Sequence, residues 1–281
     1  AVLFAADKPG TLLAMQMGTG KTRCALHLVD HEWQAWTVLV LCPKSVVPVW
    51  PAEIRKHLST LSRDWLAWPP HGQAERIMRL PVARRTESLL AARASAYSAR
   101  RPFLAVVNYE AAHQGRMAEA LQRLRWQVLV LDECHRIKSP SGVASRFCSR
   151  LADRIPRRIG LTGTPMPHSP LDVYAQLRAI DKHVFGASNA LFRARYARFG
   201  GYGGKEVIGF QNLEELHRKL YTVTFRVRSS DVLKLPELTE VTYTCELSPP
   251  ARRAYQQLEA ELRAELESGT LTAANGMVRL L

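Results

Sequence analysis

Residues 11–22 read TLLAMQMGTGKT, and this stretch decides the fold. Residues 11–15 have the pattern of a short buried strand, and the amphipathic stretch 21–32 that follows predicts a helix. Between them, Gly18 and Gly20 allow a tight turn in which several backbone N–H groups point inward. A glycine-rich turn that leads from a strand into a helix N-terminus is the context that a phosphate-binding loop requires.

The candidate nucleotide-binding residues are those of the turn itself and the helix start: Met17, Gly18, Thr19, Gly20, Lys21 and Thr22. We expect Lys21 to reach the terminal phosphates of a nucleoside triphosphate and the Thr22 hydroxyl to ligate Mg²⁺. Met15 stands where the full phosphate-loop pattern has its first glycine. A glycine-rich turn with a solvated lysine therefore remains the alternative.

The same order of strand and helix repeats through the first 180 residues. The further predicted strands cover residues 37–42, 103–108, 127–131 and 158–161. The predicted helices that follow them lie near residues 51–58, 109–124, 143–152 and 171–180. Because the strands are apolar without alternation, we expect them to be buried on both faces, in a parallel sheet covered by helices. The pattern therefore predicts a doubly wound α/β fold.

The rest of the chain has a weaker pattern. Between Leu61 and Arg101 there are eight Arg and three acids, with one predicted strand at 64–68 and a helix near 86–99. Aromatic, glycine and Arg residues mix after position 181, before a predicted helix near 212–220. The last elements are a predicted strand at 239–247 and a charged amphipathic helix at 250–266.

A second chemical signal is Asp132-Glu133-Cys134-His135, directly after the predicted strand 127–131. Parallel sheets present their ligands at the carboxyl ends of strands. There, Asp132 can hold Mg²⁺ through water, and Glu133 can accept a proton from an attacking water molecule. An acidic surface turn is the alternative. We interpret Cys134 as a small packing residue, because neighbouring carboxylates would raise the pKa of its thiol.

The composition indicates which kind of partner the protein binds and in which cellular compartment it lies. The chain of 281 residues carries 39 Lys and Arg against 25 Asp and Glu, a formal net charge of +14. This charge favours a polyanionic partner, usually nucleic acid, although drift toward an Arg-rich composition is the alternative. No apolar run approaches the roughly 20 residues needed to span a bilayer, so no membrane partner is expected. The five Cys are odd in number and unpaired in sequence, which favours reduced thiols in a cytoplasmic protein.

These motifs together resemble the superfamily-two helicases, with their DEAD/DEAH-like Asp-Glu-x-His box, and in particular their Swi/Snf branch of DNA translocases. Residues 41–44 (LCPK) with Trp50 and Glu53 are similar to that branch's motif Ia, and residues 107–110 (VNYE) to its Thr/Ser-Tyr-Glu segment. Residues 132–139 match its extended motif II and residues 161–165 (LTGTP) its motif III. Residues 224–232, with Leu235-Pro236 shortly after them, resemble the Arg-rich segment and brace that close the first lobe.

The resemblance implies a RecA-like P-loop NTPase lobe in which Lys21, Thr22, Asp132 and Glu133 bind and hydrolyse MgATP. It implies that four residues couple the nucleotide to DNA: His135, Thr162, Gly163 and Thr164. It implies that four more lie toward the nucleic acid: Pro43, Lys44, Asn108 and Tyr109. The alternatives are a solvated Lys44, strand-end packing of Asn108 and Tyr109, and a merely buried, hydrogen-bonded His135.

The resemblance also implies a domain division. Residues 1–180 would form the ATP-binding lobe, 181–235 a mostly helical appendage and brace, and 236–281 the incomplete beginning of a second RecA-like lobe of the same parent chain. Met15-Gln16 departs from the Asp-Glu that is usual before the loop. Most of the basic surplus lies outside the ATP motifs, since residues 141–235 hold 16 Lys and Arg against 7 acids.

We therefore expect the motor lobe of a DNA-dependent ATPase that moves on double-stranded DNA, from a bacterial or phage-infected cell. One alternative is a nucleotide- and DNA-binding module that is inactive in isolation. Another keeps the enzyme class and changes the substrate, as in an RNA helicase or the motor of a restriction system.

Overall fold

The computed structural model describes residues 1–58, 64–233 and 246–267, together with 241 and 244. The chain divides into two compact units, residues 1–234 and 235–281. Within the described part of the chain, no helix is long and apolar enough to cross a membrane.

A parallel sheet forms the centre of the first unit, which confirms the predicted α/β class. Seven of its described strands pair in the order β3-β4-β2-β5-β6-β1-β9. These strands are β1 (Gly10–Met15), β2 (Thr37–Cys42), β3 (Leu66–Trp68), β4 (Phe103–Asn108), β5 (Val128–Asp132), β6 (Arg157–Thr162) and β9 (Thr224–Val227). A separate antiparallel hairpin consists of β7 (Ala197–Gly200) and β8 (Glu206–Phe210).

The inner strands are apolar on both faces because helices cover both sides. All residues of β1, β2, β4 and β5 are buried. Successive residues of one strand belong to different core clusters, as with Leu12 in one and Leu13 in the other. This is the alternation expected of a sheet between two helical layers.

The described helices of the first unit are α1 (Val2–Ala5), α2 (Lys21–His27), α3 (Val49–Leu58), α4 (Ala74–Met78), α5 (Val82–Ser98), α6 (Tyr109–Ala112), α7 (Gly115–Arg123), α8 (Val143–Ala152), α9 (Val173–Ile180), α10 (Asn189–Tyr196), α11 (Leu213–Leu220) and α12 (Ser229–Val232). Most of these helices lie between strands in sequence, whereas α1 precedes β1 and α12 follows β9. Helix α2 continues as a π-helix over Leu28–Glu32, and α9 follows a short 3₁₀ turn, Pro170–Asp172.

Two elements differ from the sequence prediction. The helix expected over residues 109–124 is two helices, because the backbone is extended at Gln114 and left-handed at Gly115, whose φ is 39°. The strand expected at 64–68 is limited to β3, three residues at the end of the sheet. Short strands are common at sheet edges, where only one neighbour is available for pairing.

The segment after residue 180 contributes to both helices and sheet. It contains α10, α11 and α12, the β7–β8 hairpin, and β9, which pairs with β1 from Leu12↔Thr224 onward. The division at residues 180 and 235 stays a prediction. In the second unit, helix α13 spans Pro249–Glu267, close to the predicted bounds. Most of the strand predicted at 239–247 lies outside the described residues.

Candidate active site

The loop after β1 has the backbone geometry of a phosphate cradle. Gly18 and Gly20 have φ values of 77° and 88°, which favour glycine. Thr19 closes the turn, because its hydroxyl donates to the Gln16 carbonyl oxygen at 2.6 Å. Helix α2 then begins at Lys21, and Gly20 before it has no side chain to cap the first turn. The N–H groups of that turn therefore point toward any anion held by the loop.

Asp132 ends β5 and is 6% exposed. Its Oδ2 accepts a hydrogen bond from Trp50 Nε1 at 2.9 Å, and its Oδ1 accepts one from the Glu133 backbone N–H at 3.0 Å. Burial raises the pKa of the Asp132 carboxyl, whereas the Trp50 hydrogen bond and the Lys21 ammonium both lower it. The positive charge of Lys21 thus favours the ionised form of Asp132.

The sheet topology explains why these residues meet. Strand β6 lies between β5 and β1, with Asp132 paired to Leu161 and Ala14 paired to Thr162. The three strands run parallel, so the segments that follow them emerge at the same edge of the sheet. The phosphate loop, the Asp-Glu pair and the Thr-Gly-Thr segment are therefore brought together.

Glu133 has a left-handed backbone with φ 47° and ψ 51°, uncommon for a residue other than glycine. Non-glycine residues in this conformation cluster at functional sites, where surrounding contacts hold them. The Glu133 Oε2 lies 3.3 Å from His135 Nδ1. The strained turn thus places the candidate base directly beside the first candidate coupling residue.

His135 connects the Asp-Glu segment to the segment after β6. Its Nδ1 lies 3.0 Å from Thr162 Oγ1, which also accepts a hydrogen bond from the Thr164 backbone N–H at 3.1 Å. Gly163 lies between the two threonines, next to the backbone of Gln16. Burial lowers the pKa of His135, so the imidazole is held neutral. The four predicted coupling residues therefore form one contiguous group.

Gln176 of α9 contacts both the Asp-Glu segment and the segment after β6, and no sequence motif singled it out. Its Oε1 accepts from the Cys134 thiol at 3.3 Å, and its Nε2 donates to the Pro165 and Asp172 carbonyl oxygens at 2.6 and 2.9 Å. Burial is the main reason that the pKa of Cys134 is raised well above its ordinary value, and the Glu133 carboxylate contributes less. The interpretation of Cys134 as a packing residue agrees with its burial. The neighbouring carboxylates, which were expected to raise its pKa, contribute less than burial does.

The predicted nucleic-acid residues follow β2 and β4, which are neighbours in the sheet. Pro43 is buried and Lys44 is exposed. Asn108 is buried, accepts from Arg85 and donates to Glu110 at 2.7 Å. Lys44 is therefore the one of the four that is presented to solvent.

Tyr109 is buried beside the segment that carries Asp132, and its placement toward nucleic acid stays a prediction. It is 4% exposed, and its hydroxyl donates to the Asp132 carbonyl oxygen at 2.9 Å. Its phenol therefore supports the backbone of the residue that is the candidate metal ligand. Trp50 has a related role that the sequence did not reveal, although its Trp-x-x-Glu segment was singled out.

Comparison with known proteins decides the family. A profile of the SNF2-related domain matches residues 3–279. The chain belongs to this family. The resemblance to the Swi/Snf branch is thereby confirmed.

This SNF2-related domain is 24% identical over 288 residues to the DNA annealing helicase and endonuclease ZRANB3 of Homo sapiens. It is 26% identical over 276 residues to the chromatin-remodeling ATPase INO80 of Candida glabrata. The alignments cover 99% and 94% of this chain but 25% and 17% of those relatives. The chain thus corresponds to a quarter or less of the length of either protein.

Among solved structures, the SNF2-related domain resembles the Sulfolobus solfataricus SWI2/SNF2 ATPase core in complex with dsDNA. The TM-score is 0.59 at 20% sequence identity, and the match covers 97% of this chain and 52% of that chain. At this identity, the likeness shows a shared fold. The RecA-like lobe expected from the sequence is therefore confirmed as the fold class.

Proposed function

We propose that this chain is the ATP-binding lobe of a DNA-dependent ATPase that couples MgATP hydrolysis to movement on duplex DNA. The observation that carries the proposal is that β1 and β5 flank β6 in parallel, so that the loop with Lys21 and the Asp132-Glu133 pair emerge at one edge of the sheet. Three residues of these types around one cradle are what nucleoside triphosphate hydrolysis needs. The names of the relatives support the same class of activity.

The residues present fit a magnesium ion. The Thr22 hydroxyl and the Asp132 carboxylate are the hard oxygen donors that Mg²⁺ prefers. Trp50 and the Glu133 N–H each use one lone pair of Asp132 and leave others free, so the carboxylate is both oriented and able to bind. Mg²⁺ bound here would neutralise charge on the phosphate oxygens.

Each residue of the site has a distinct role in the proposed hydrolysis. The loop N–H groups and the Lys21 ammonium bind the phosphates and fix their orientation. The Glu133 carboxylate orients the attacking water and accepts its proton. Because His135 is held neutral, it adds no cation that would stabilise Glu133 as a carboxylate and weaken it as a base.

Coupling to DNA is proposed to pass through the His135–Thr162–Thr164 group. Glu133 contacts His135, which contacts Thr162, so a displacement of Glu133 is proposed to reach the loop that continues to Thr164. Lys44 is the exposed residue proposed to contact the DNA backbone. A second RecA-like lobe of the parent chain is proposed to complete the site.

The test is DNA-stimulated ATPase activity of the full-length protein. Lys21→Ala is expected to reduce MgATP binding and turnover, and Glu133→Gln to retain binding while reducing turnover by about 10²-fold or more. Lys56→Ala is the matched control, because Lys56 is an exposed lysine on α3 outside the motifs. Unchanged turnover in both site variants would refute the proposal.

The choice of nucleic acid is tested in the same assay. Duplex DNA is expected to stimulate turnover more than RNA of the same length. Stronger stimulation by RNA would instead support the RNA helicase alternative. Strand displacement is measured separately, because a translocase need not unwind its track.

A further inference from the structure

The β7–β8 hairpin exposes large apolar side chains on a small element. Phe199, Val207 and Ile208 are 41%, 38% and 60% exposed. The hairpin is not part of the main sheet, and two strands alone are marginally stable in water. Exposed apolar residues on both faces of so small an element are candidates for binding a partner.

The base of the hairpin is held firmly. Tyr196, just before β7, packs its ring against Phe192 and Phe185 at 4.9 and 5.7 Å. Its backbone carbonyl accepts from the Gln211 N–H, just after β8, at 2.9 Å. Arg195 forms two hydrogen bonds to Glu215 of α11, the shorter at 2.6 Å. The exposed end is therefore presented from a fixed base, so its exposure is not explained by a loosely attached element.

Each face of the hairpin combines an apolar side chain with an arginine. On one face Phe199 lies opposite Val207, and the Arg193 guanidinium lies 5.3 Å from the Phe199 ring centroid. On the other face, Arg198 extends over Gly209 and Ile208 extends over Gly200. A Cβ at either glycine would come within 2.6–2.8 Å of these side chains. The two glycines thus make room for this arrangement.

The charge of the hairpin indicates the chemistry of its partner. Arg195 of α10 is paired with Glu215, but among the described residues Arg193 of α10 and Arg198 and Lys205 of the hairpin have no acidic partner in an ion pair. These three basic residues outnumber Glu206, the acid of β8. Positive charge attracts a phosphate backbone. Exposed aromatic and aliphatic side chains gain nothing from phosphates but stack on bases or wedge between them.

We propose that the β7–β8 hairpin binds nucleic acid where bases are exposed, at a junction between duplex and single strands. Phe199 and Ile208 contact unpaired bases, and Arg193 and Arg198 contact the adjoining phosphates. This inference rests on the proposed DNA-dependent function and adds to it a preference for branched DNA.

The test compares two DNA ligands that differ only in exposed bases. Binding of the full-length protein to a forked duplex and to a blunt duplex with the same paired region is measured by fluorescence anisotropy. In the Phe199→Ala/Ile208→Ala double variant, the affinity for the fork is expected to fall about fivefold or more, because stacking on a base is lost. The affinity for the blunt duplex is expected to stay within about twofold, since phosphate contacts dominate there.

Leu191→Ala is the matched control, because Leu191 is an apolar residue of α10 that is 73% exposed and lies outside the hairpin. It is expected to change neither affinity. A 2-aminopurine base at the fork gives a direct readout, since its fluorescence responds to stacking. The wild type is expected to change that signal and the double variant to leave it unchanged.

Equal losses for the fork and the blunt duplex, or no loss for either, would overturn the base-contact proposal. So would a loss of fork affinity seen only with Arg198→Ala, because phosphate contacts would then account for all the binding. The variant's ATPase activity on blunt duplex is measured in parallel. If that activity is intact while the fork effect is absent, the hairpin proposal fails and the proposed function stands.

Discussion

Replacement of Trp50 by Phe separates the orientation of Asp132 from ordinary core packing. Trp50 is 1% exposed, and its Nε1 donates to Asp132 Oδ2 at 2.9 Å. A hydrogen bond to a charged group contributes about 1.5–3 kcal/mol. Trp50→Phe removes this donor while it keeps an aromatic ring, so we expect stability and MgATP binding to fall together.

Trp68→Phe is the matched control. Trp68 is 2% exposed, and its Nε1 donates to the neutral Ser88 hydroxyl at 3.1 Å, away from the site. A neutral hydrogen bond contributes about 0.5–1.5 kcal/mol. Both variants remove the same ring atoms, so Trp50→Phe is expected to be about 1–1.5 kcal/mol less stable than Trp68→Phe.

The pH dependence of activity gives the sharper test. The Trp50 hydrogen bond favours the ionised form of Asp132 and lowers its pKa. Its loss therefore raises that pKa, because the ionised carboxylate loses a hydrogen-bond donor. At a given acidic pH, less Asp132 is then ionised, and the acid limb of the ATPase profile moves to higher pH.

The assay is urea unfolding together with ATPase profiles from pH 5 to 8 for the wild type and both variants. The acid limb is expected to shift in Trp50→Phe and to stay in place in Trp68→Phe. If both variants have the wild-type limb, or if both shift it equally, Trp50 acts through packing alone.

Three further changes test other contacts. Gln176→Leu removes the hydrogen bonds to Cys134, Pro165 and Asp172. We expect it to lower the free energy of unfolding in urea by about 2 kcal/mol or more and to weaken DNA stimulation of the ATPase. Unchanged stimulation would exclude a coupling role for Gln176. Gly10→Ala places a Cβ against the Ile180 carbonyl, and is expected to lower stability by about 1–3 kcal/mol, which thermal unfolding would contradict if the midpoint were unchanged. His135→Asn removes an imidazole whose pKa is lowered by burial. The stability advantage of the wild type over this variant is therefore full above the ordinary histidine pKa of about 6.5, and it is lost as pH falls through the lower pKa of the folded state. A stability difference that is independent of pH between 5 and 8 would contradict this.

Local sequence patterns were sufficient to predict the strands that are buried on both faces. Strands β1, β2, β4 and β5 are continuous apolar runs, and burial on both faces requires little else. Helix α8 has the predicted bounds, Val143–Ala152. The strand order could not be predicted in this way, because pairing joins residues far apart in sequence, as β1 does with β9.

In the candidate site, too, the local motifs could be predicted from the sequence and the long-range contacts could not. The phosphate loop and the Asp-Glu pair are local motifs, since their spacing along the chain already carries the chemistry. The contacts of Trp50, Tyr109 and Gln176 depend on neighbours that are 82, 23 and 42 residues away. A buried polar residue in a helix pattern looks like a surface residue until its partners are known, and this is why Gln176 was missed.

Gln16 shows how a departure from the usual motif remains compatible with the site. Its Oε1 accepts from the Ser229 backbone N–H at 2.7 Å, and the Ser229 hydroxyl donates to the Met17 carbonyl oxygen at 3.4 Å. A glutamate at this position can accept the same hydrogen bond, but it adds a negative charge beside the phosphate loop. The amide therefore keeps the connection between the loop and α12 without placing a carboxylate where phosphates are expected to bind. The loss of the acidic pair before the loop thus removes repulsion and leaves the supporting contact in place.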